Sequence, residues 1–308
     1  MADLMPLVQR KPDFFIVGAP KCGTTSLHRY LVGHPEIFMP IRPKEPMFFE
    51  NDRLANFGMS YPDDMAHYLD LFARAGDAQR VGEASTSYLE SPLAASRIHD
   101  FNPDARIIAM LRDPVAMIAS LHSMRVSQGL EHSASLSAAL DDEQRRRGFG
   151  VVGDQSSIRY RDRARFSSML PPWFDAFGRD RVHIVLLEDM AADGAGQFER
   201  VLLFLGVDPA YRPANLMPYN EREWPRSLLI ARLSARFRRP WVRNSPSDRL
   251  ARHVYHLLGR INRRDVPRQP IPAAVVRQLR ADLGPDVDQL SVLLGRDLRS
   301  LWWSDPAT

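Results

Sequence analysis

Apolar positions along this chain fall in short unbroken runs, each followed by a stretch with apolar residues at helical spacing. The first run is FFIVG (14–18), four apolar residues closed by a glycine. A run without alternation reads as a strand buried on both faces, as in a parallel sheet. In the following TTSLHRYLVGH, Leu27, Tyr30 and Leu31 share a helical face, Thr and Ser stand where caps belong, and Gly33 and Pro35 stop the helix. ARIIAML (105–111) is a second buried strand; Pro114 then sits in a first helical turn and VAMIASLHSM continues it. RVGEAST (80–86) predicts a short strand, and RVHIVLLEDM (181–190) another after the helix-like RFSSMLPPWFDAFG. FERVLLFLGV predicts a helix closed by Gly206. Alternating strands and helices predict an α/β fold: a central, mainly parallel sheet flanked by helices, read as a single domain over 1–308.

Three stretches stand outside this alternation. Residues 126–157 are polar and contain DDEQRRRGFG, which reads as a mobile insertion or a surface helix. Residues 232–268 are rich in arginine and proline and poor in acids. Their plain reading is a solvated helical face with linkers; the sharper one is a patch facing an anionic ligand, an acceptor or a membrane surface. The tail VDQLSVLLGRDLRSLWW predicts one final amphipathic helix with an aromatic anchor. There is no internal repeat or low-complexity tract.

Composition narrows the classes. The 308 residues are 44% hydrophobic and 25% charged, ordinary for a globular chain with a sizeable core. The net charge is only +4, which suits an anionic ligand without demanding one. Cys22 is the single cysteine, so no intrachain disulfide exists and no oxidising compartment is required. The opening MADLMPLVQRKPDFF lacks a basic start with an apolar core, and no stretch approaches the length of a membrane span. The expectation is a cytoplasmic protein. HVYH (253–256) offers a histidine pair without further ligands, so no metal is expected; no nucleic-acid partner is expected either, and the oligomeric state has no signature in the sequence.

The chemistry concentrates in FIVGAPKCGTTS. Gly18 and Gly23 keep the spacing of a phosphate-binding loop, but Thr24 and Thr25 stand where that motif has Lys and Ser/Thr, and the lysine has moved back to Lys21. Backbone N–H groups in such a loop, opening into a helix N-terminus, form an anion site. Thr24, Thr25 and Ser26 add hydroxyls and Lys21 a point charge. A nucleoside-triphosphatase or kinase would need the missing lysine and a metal-binding aspartate; Asp113 ends a strand, but Arg112 precedes it. Cys22 reads as a small residue offering its backbone N–H, or as a thiol activated by the helix N-terminus.

Several segments together resemble one family. FIVGAPKCGTTSLHRYLVGHP is similar to the phosphosulfate-binding loop of sulfotransferases that use 3′-phosphoadenosine 5′-phosphosulfate (PAPS). AMLRDPVAMIASLHSM resembles their 3′-phosphate segment. RPKEPMFFE resembles the Lys-Glu-Pro stretch of the carbohydrate and bacterial branches, VGEASTSYL their Gly-Glu-x-Ser-x-x-Tyr stretch, and LLGRDLRSLWW a tail frequent among bacterial members. The resemblance implies a P-loop-like three-layer sandwich and PAPS as donor, without a metal. It implies that Lys21 and the amides of Cys22, Gly23, Thr24, Thr25 and Ser26 hold the 5′-phosphosulfate, and that Arg112 and Ser120 hold the 3′-phosphate. Lys21 within the loop can reach the oxygen bridging phosphate and sulfate, where charge develops.

The resemblance further implies Glu45 as general base toward an acceptor hydroxyl, with Lys44 as a second contact to the sulfonate. Glu83 is the rival base, and His28, His34 and His122 stay open because other branches use histidine. Met47 stands where relatives often have histidine, and Ala84 where the glycosaminoglycan-modifying branch has lysine. The latter argues against a highly anionic polysaccharide and leaves a carbohydrate, lipid or small metabolite as acceptor, with a hydroxyl favoured over an amine. Arg159 and Tyr160 match the family's nucleotide contacts loosely. A kinase or nucleoside-triphosphatase, and a non-catalytic nucleotide-binding relative, are the other two classes.

Overall fold

A computed structural model of the chain describes residues 10–50, 64–148, 159–215, 223–237, 246–265 and 270–304. It divides into two compact units, one built from residues 1–112 and 169–220 and the other from 113–168 and 221–308.

The first unit holds a five-stranded sheet. β1 is Phe14–Gly18, β2 Ile37–Phe38, β3 Arg80–Ala84, β4 Arg106–Leu111 and β5 Val182–Leu186. Their order is β2-β3-β1-β4-β5 with every pairing parallel, and helices flank the sheet. This is the expected P-loop-like α/β architecture. The central β1 is buried at all five positions, which explains its unbroken apolar run. Gly82 on β3 is paired with Phe14, whose ring lies over it: a Cβ at Gly82 would stand 2.0 Å from Phe14 Cζ.

Three boundaries differ from the sequence reading. The strand expected over 181–190 ends at Leu186, and Leu187–Ala192 is helical. Glu188 and Asp189 occupy that helix's first turn, where acids complement the helix dipole. The segment RFSSMLPPWFDAFG is two helices, Phe166–Met169 and Pro171–Phe177, because a proline opens the second. β2 has two residues, too few to leave a pattern. Gly206 does close the Gly194–Leu205 helix, in left-handed conformation at φ 69°.

The second unit is mainly helical. Pro114–Ser127 begins as expected with proline at the first helical position, and the Asp113 carboxylate caps it by accepting from Val115 N at 2.9 Å. The polar stretch 126–157 carries the Leu136–Gly148 helix, with 149–158 outside the described residues. Two of its acids are not solvated as expected. Glu131 accepts from the Tyr160 hydroxyl at 2.9 Å, and Glu143 pairs with Arg161 at 2.9 Å. Polarity there satisfies buried partners. In the arginine-rich 232–268 stretch, Pro246–Ile261 is helical and Arg263–Asp265 is a strand, β7, antiparallel to β6 at Glu223–Pro225. Residues 238–245 and 266–269 lie outside the described ones. The tail is two helices, Ala273–Leu294 and Leu298–Trp303, split by Gly295 at φ 63°. Its aromatic anchor is real: Trp303 Nε1 donates to Asp113 Oδ1 at 3.1 Å.

Candidate functional site

The glycine loop joins the C-terminal end of β1 to the Thr24–Val32 helix, at the sheet edge where open α/β sheets bind ligands. Both glycines are sterically required. A Cβ at Gly18 would stand 2.6 Å from Leu89 Cβ and 2.9 Å from the Thr86 carbonyl oxygen. One at Gly23, where φ is 93°, would stand 2.8 Å from Leu187 Cδ1. The loop fastens itself by Ala19 N to Met110 O at 2.7 Å, Cys22 N to Ala19 O at 3.3 Å, and Ser26 N to Gly23 O at 3.0 Å. The Cys22 and Ser26 amides are thus used by the loop's own turns. The amides of Gly23, Thr24 and Thr25 have no backbone acceptor among the described residues and open the helix.

Lys21 sits in this loop at φ 65°, a left-handed conformation rare for a side chain of its size. Arg112 follows β4 and is only 8% exposed. Its Nη1 donates to the Lys21 carbonyl at 3.1 Å, while its buried Nε has no hydrogen-bond partner. Cys22 is fully buried and its thiol donates to Pro20 O at 3.5 Å. Burial drives that thiol far above its ordinary range, so it is not an activated nucleophile. Ser120 is a buried residue on the Pro114–Ser127 helix of the second unit.

Glu45 and Lys44 form a 3.1 Å ion pair, both partly exposed. The other Glu45 oxygen accepts from Thr86 Oγ1 at 3.1 Å, and Thr86 is the residue whose carbonyl crowds Gly18. The Lys-Glu-Pro segment and the glycine loop therefore meet at one residue. His28 supports the segment from below by donating from Nε2 to Pro40 O at 3.0 Å. Burial pushes its imidazole down to about 4, which keeps it neutral. Met47, two residues past Glu45, is held at φ 55° with its N–H donating to Ser85 Oγ at 2.9 Å.

Ser85 in turn donates to Glu83 at 2.6 Å, and Tyr68 donates to the other Glu83 oxygen. Glu83 is 0% exposed. Burial pushes its carboxyl up to about 7, against the lowering effect of the Ser85 and Tyr68 hydrogen bonds. His34 is engaged on both ring nitrogens, donating to Asp208 O and accepting from Glu36 N. His122 donates to Ser133 O at 2.8 Å in the second unit. Sequence reasoning missed Thr86, Ser85 and Tyr68. Their only signal was their place in and before the Gly-Glu-x-Ser-x-x-Tyr stretch.

A parallel sheet with a glycine loop leading from its central strand into a helix N-terminus defines an α/β protein of the P-loop-like kind. The family described as "Sulfotransferase domain" matches residues 11–217, and the chain belongs to it. Curated relatives include heparan sulfate glucosamine 3-O-sulfotransferase 6 of Mus musculus, 30% identical over 202 residues, covering 65% of this chain and 53% of that protein. Carbohydrate sulfotransferase 15 of Homo sapiens is 27% identical over 291 residues, covering 76% of this chain and 48% of its own length. The chain thus spans about half the length of the curated relatives it matches. A solved sulfotransferase from Alicyclobacillus acidocaldarius aligns with a TM-score of 0.69 at 27% identity, over 94% of this chain and 98% of that one.

Proposed function

We propose that the chain transfers a sulfuryl group from PAPS to an acceptor hydroxyl, with Glu45 as general base. The observation that carries this reading is a coincidence of strain and placement. Among the described residues the two non-glycine residues with positive φ are Lys21 and Met47. One lies in the glycine loop and the other beside Glu45. Such conformations cost about 1–3 kcal/mol each and persist where a site requires them.

The donor supplies an activated sulfuryl group on a phosphosulfate anhydride. The residues present fit it. The Gly23, Thr24 and Thr25 amides and the Lys21 ammonium suit its 5′ end. The unpartnered Arg112 Nε is a donor waiting for a phosphate, and Ser120 is proposed as its companion on the 3′ group. Lys21 neutralises charge on the leaving phosphate oxygen, a role that needs no metal. Glu45 is oriented by Lys44 and Thr86, is partly exposed, and takes the acceptor proton. Glu83 is fully buried with both oxygens engaged, which favours Glu45 over it. The names of the relatives support a carbohydrate acceptor, and Ala84 in place of a cation points to one of modest negative charge.

The test is a titration with adenosine 3′,5′-bisphosphate and with ATP, each with and without Mg²⁺, followed by turnover with PAPS. Tight bisphosphate binding indifferent to chelator, and lost in Arg112→Ala, is expected. Lys21→Ala is expected to lower kcat by roughly 10²–10³. Glu45→Ala is expected to lower it by roughly 10²–10⁴ while still binding the bisphosphate. Full activity in Glu45→Ala removes it as base. A preference for ATP with Mg²⁺ moves the chain to the kinase class.

A further inference from the structure

The Leu228–Ala235 and Pro246–Ile261 helices of the second unit carry a surface that the donor site does not use. They are tied at their ends: Asn262 bonds both the N–H and the C=O of Ser227 at 2.8 Å, and Ser227 caps the shorter helix. On the longer helix Leu250, Val254, Leu257 and Ile261 recur at steps of four, three and four, which places them on one face. Leu250, Leu257 and Ile261 are 67%, 56% and 62% exposed. Leu229, Ile230, Leu233 and Phe237 are exposed on or just past the shorter helix. Seven of the thirteen large apolar side chains exposed among the described residues are therefore on this one helix pair. That concentration exceeds the singly scattered apolar residues of an ordinary surface.

A basic stripe runs beside the apolar one. Each apolar residue of the longer helix is preceded by a basic type: Arg249, His253, His256 and Arg260, all exposed and about 100° around the helix. Arg232 and Arg236 are exposed on and at the end of the shorter helix. Among the described residues of the pair, four arginines are exposed (Arg232, Arg236, Arg249 and Arg260), with Asp248 as the acid on the longer helix. The inner side is closed by Ala231, Ser234, Arg252 and Asn262, all buried.

We infer that this two-helix surface lies on an anionic lipid bilayer, with the leucines and isoleucines at the acyl boundary and the arginines at headgroup level. An apolar stripe flanked by cations is the arrangement of helices that lie in a membrane interface. Acidic headgroups complement the sign of the exposed arginines. A second copy would set one arginine surplus against another. A nucleic acid would match the cations and leave the aliphatic stripe in water.

The experiment is co-sedimentation of the full chain with vesicles of phosphatidylcholine alone and of phosphatidylcholine with phosphatidylglycerol. Binding only to the second is expected, falling as salt is raised, because each cation near such a surface is worth about fivefold in affinity. Leu257→Asn combined with Ile261→Asn is expected to weaken binding by about tenfold or more, with circular dichroism and melting temperature unchanged. Arg249→Gln with Arg260→Gln is expected to do the same. Equal sedimentation with neutral vesicles overturns the inference, as does undiminished binding in the L257N/I261N variant. So does a wild-type dimer in light scattering that L257N/I261N dissolves while vesicles stay unbound, which would make the surface a contact between copies.

Discussion

Glu45 and Glu83 are the same side chain in opposite surroundings. Glu45 meets a lysine and a threonine at a partly open edge; Glu83 lies among Tyr68, Ser85 and Tyr88 with no exposed surface. Burial raises the Glu83 carboxyl from its ordinary range to about 7. A folded pKa above the unfolded one means the native state holds its proton longer. Stability from this group is complete below about 4.5 and is lost as pH rises through about 7, a contribution of order 3 kcal/mol. Glu83→Gln keeps the shape and removes the titration. Urea unfolding at pH 5 and pH 8 is expected to show a smaller loss of stability in the variant than in the parent. Parallel losses would mean that Glu83 does not titrate in this window. Because Ser85 links Glu83 to the Met47 amide, the same variant reports how firmly the Lys-Glu-Pro segment is held.

Strands and helices show where sequence patterns speak and where they stop. β1, β3 and β4, the Thr24–Val32 helix and the Pro114 helix start were legible, because continuous burial and a first-turn proline leave local marks. The split tail and the short β5 were not, since both turn on one or two residues within an otherwise periodic run. In the site, the loop and Lys-Glu-Pro residues were readable as types at fixed spacing. The left-handed backbone of Lys21 and Met47 was not, because neither residue type signals positive φ. Nor was the Phe14–Gly82 fit, which joins distant strands. That fit carries its own test. Gly82→Ala is expected to cost about 1–3 kcal/mol by overpacking against the Phe14 ring. Adding Phe14→Leu is expected to cost less than the sum of the two single changes, measured by denaturant unfolding. Strict additivity would place the strain elsewhere.

Across the whole chain, the family match ends at residue 217 and the cationic helix pair begins beyond it. The residues proposed for donor binding and catalysis all fall inside the match, while the surface proposed to meet lipid lies outside it. The sheet also records an order of events. β4 ends at Leu111, and its outer neighbour β5 begins at Val182, after the whole 113–168 stretch of the second unit. A ribosome must make about 75 further residues before that edge can be covered, roughly 4–15 s of synthesis. For that interval the nascent chain presents the open edge of a strand that is apolar after Arg106, RIIAML, to the crowded cell. Chains arrested before Val182 are expected to recruit holding chaperones and to aggregate on release, and chains arrested well after Leu186 to do neither. Newborn molecules are thus most vulnerable midway through their making.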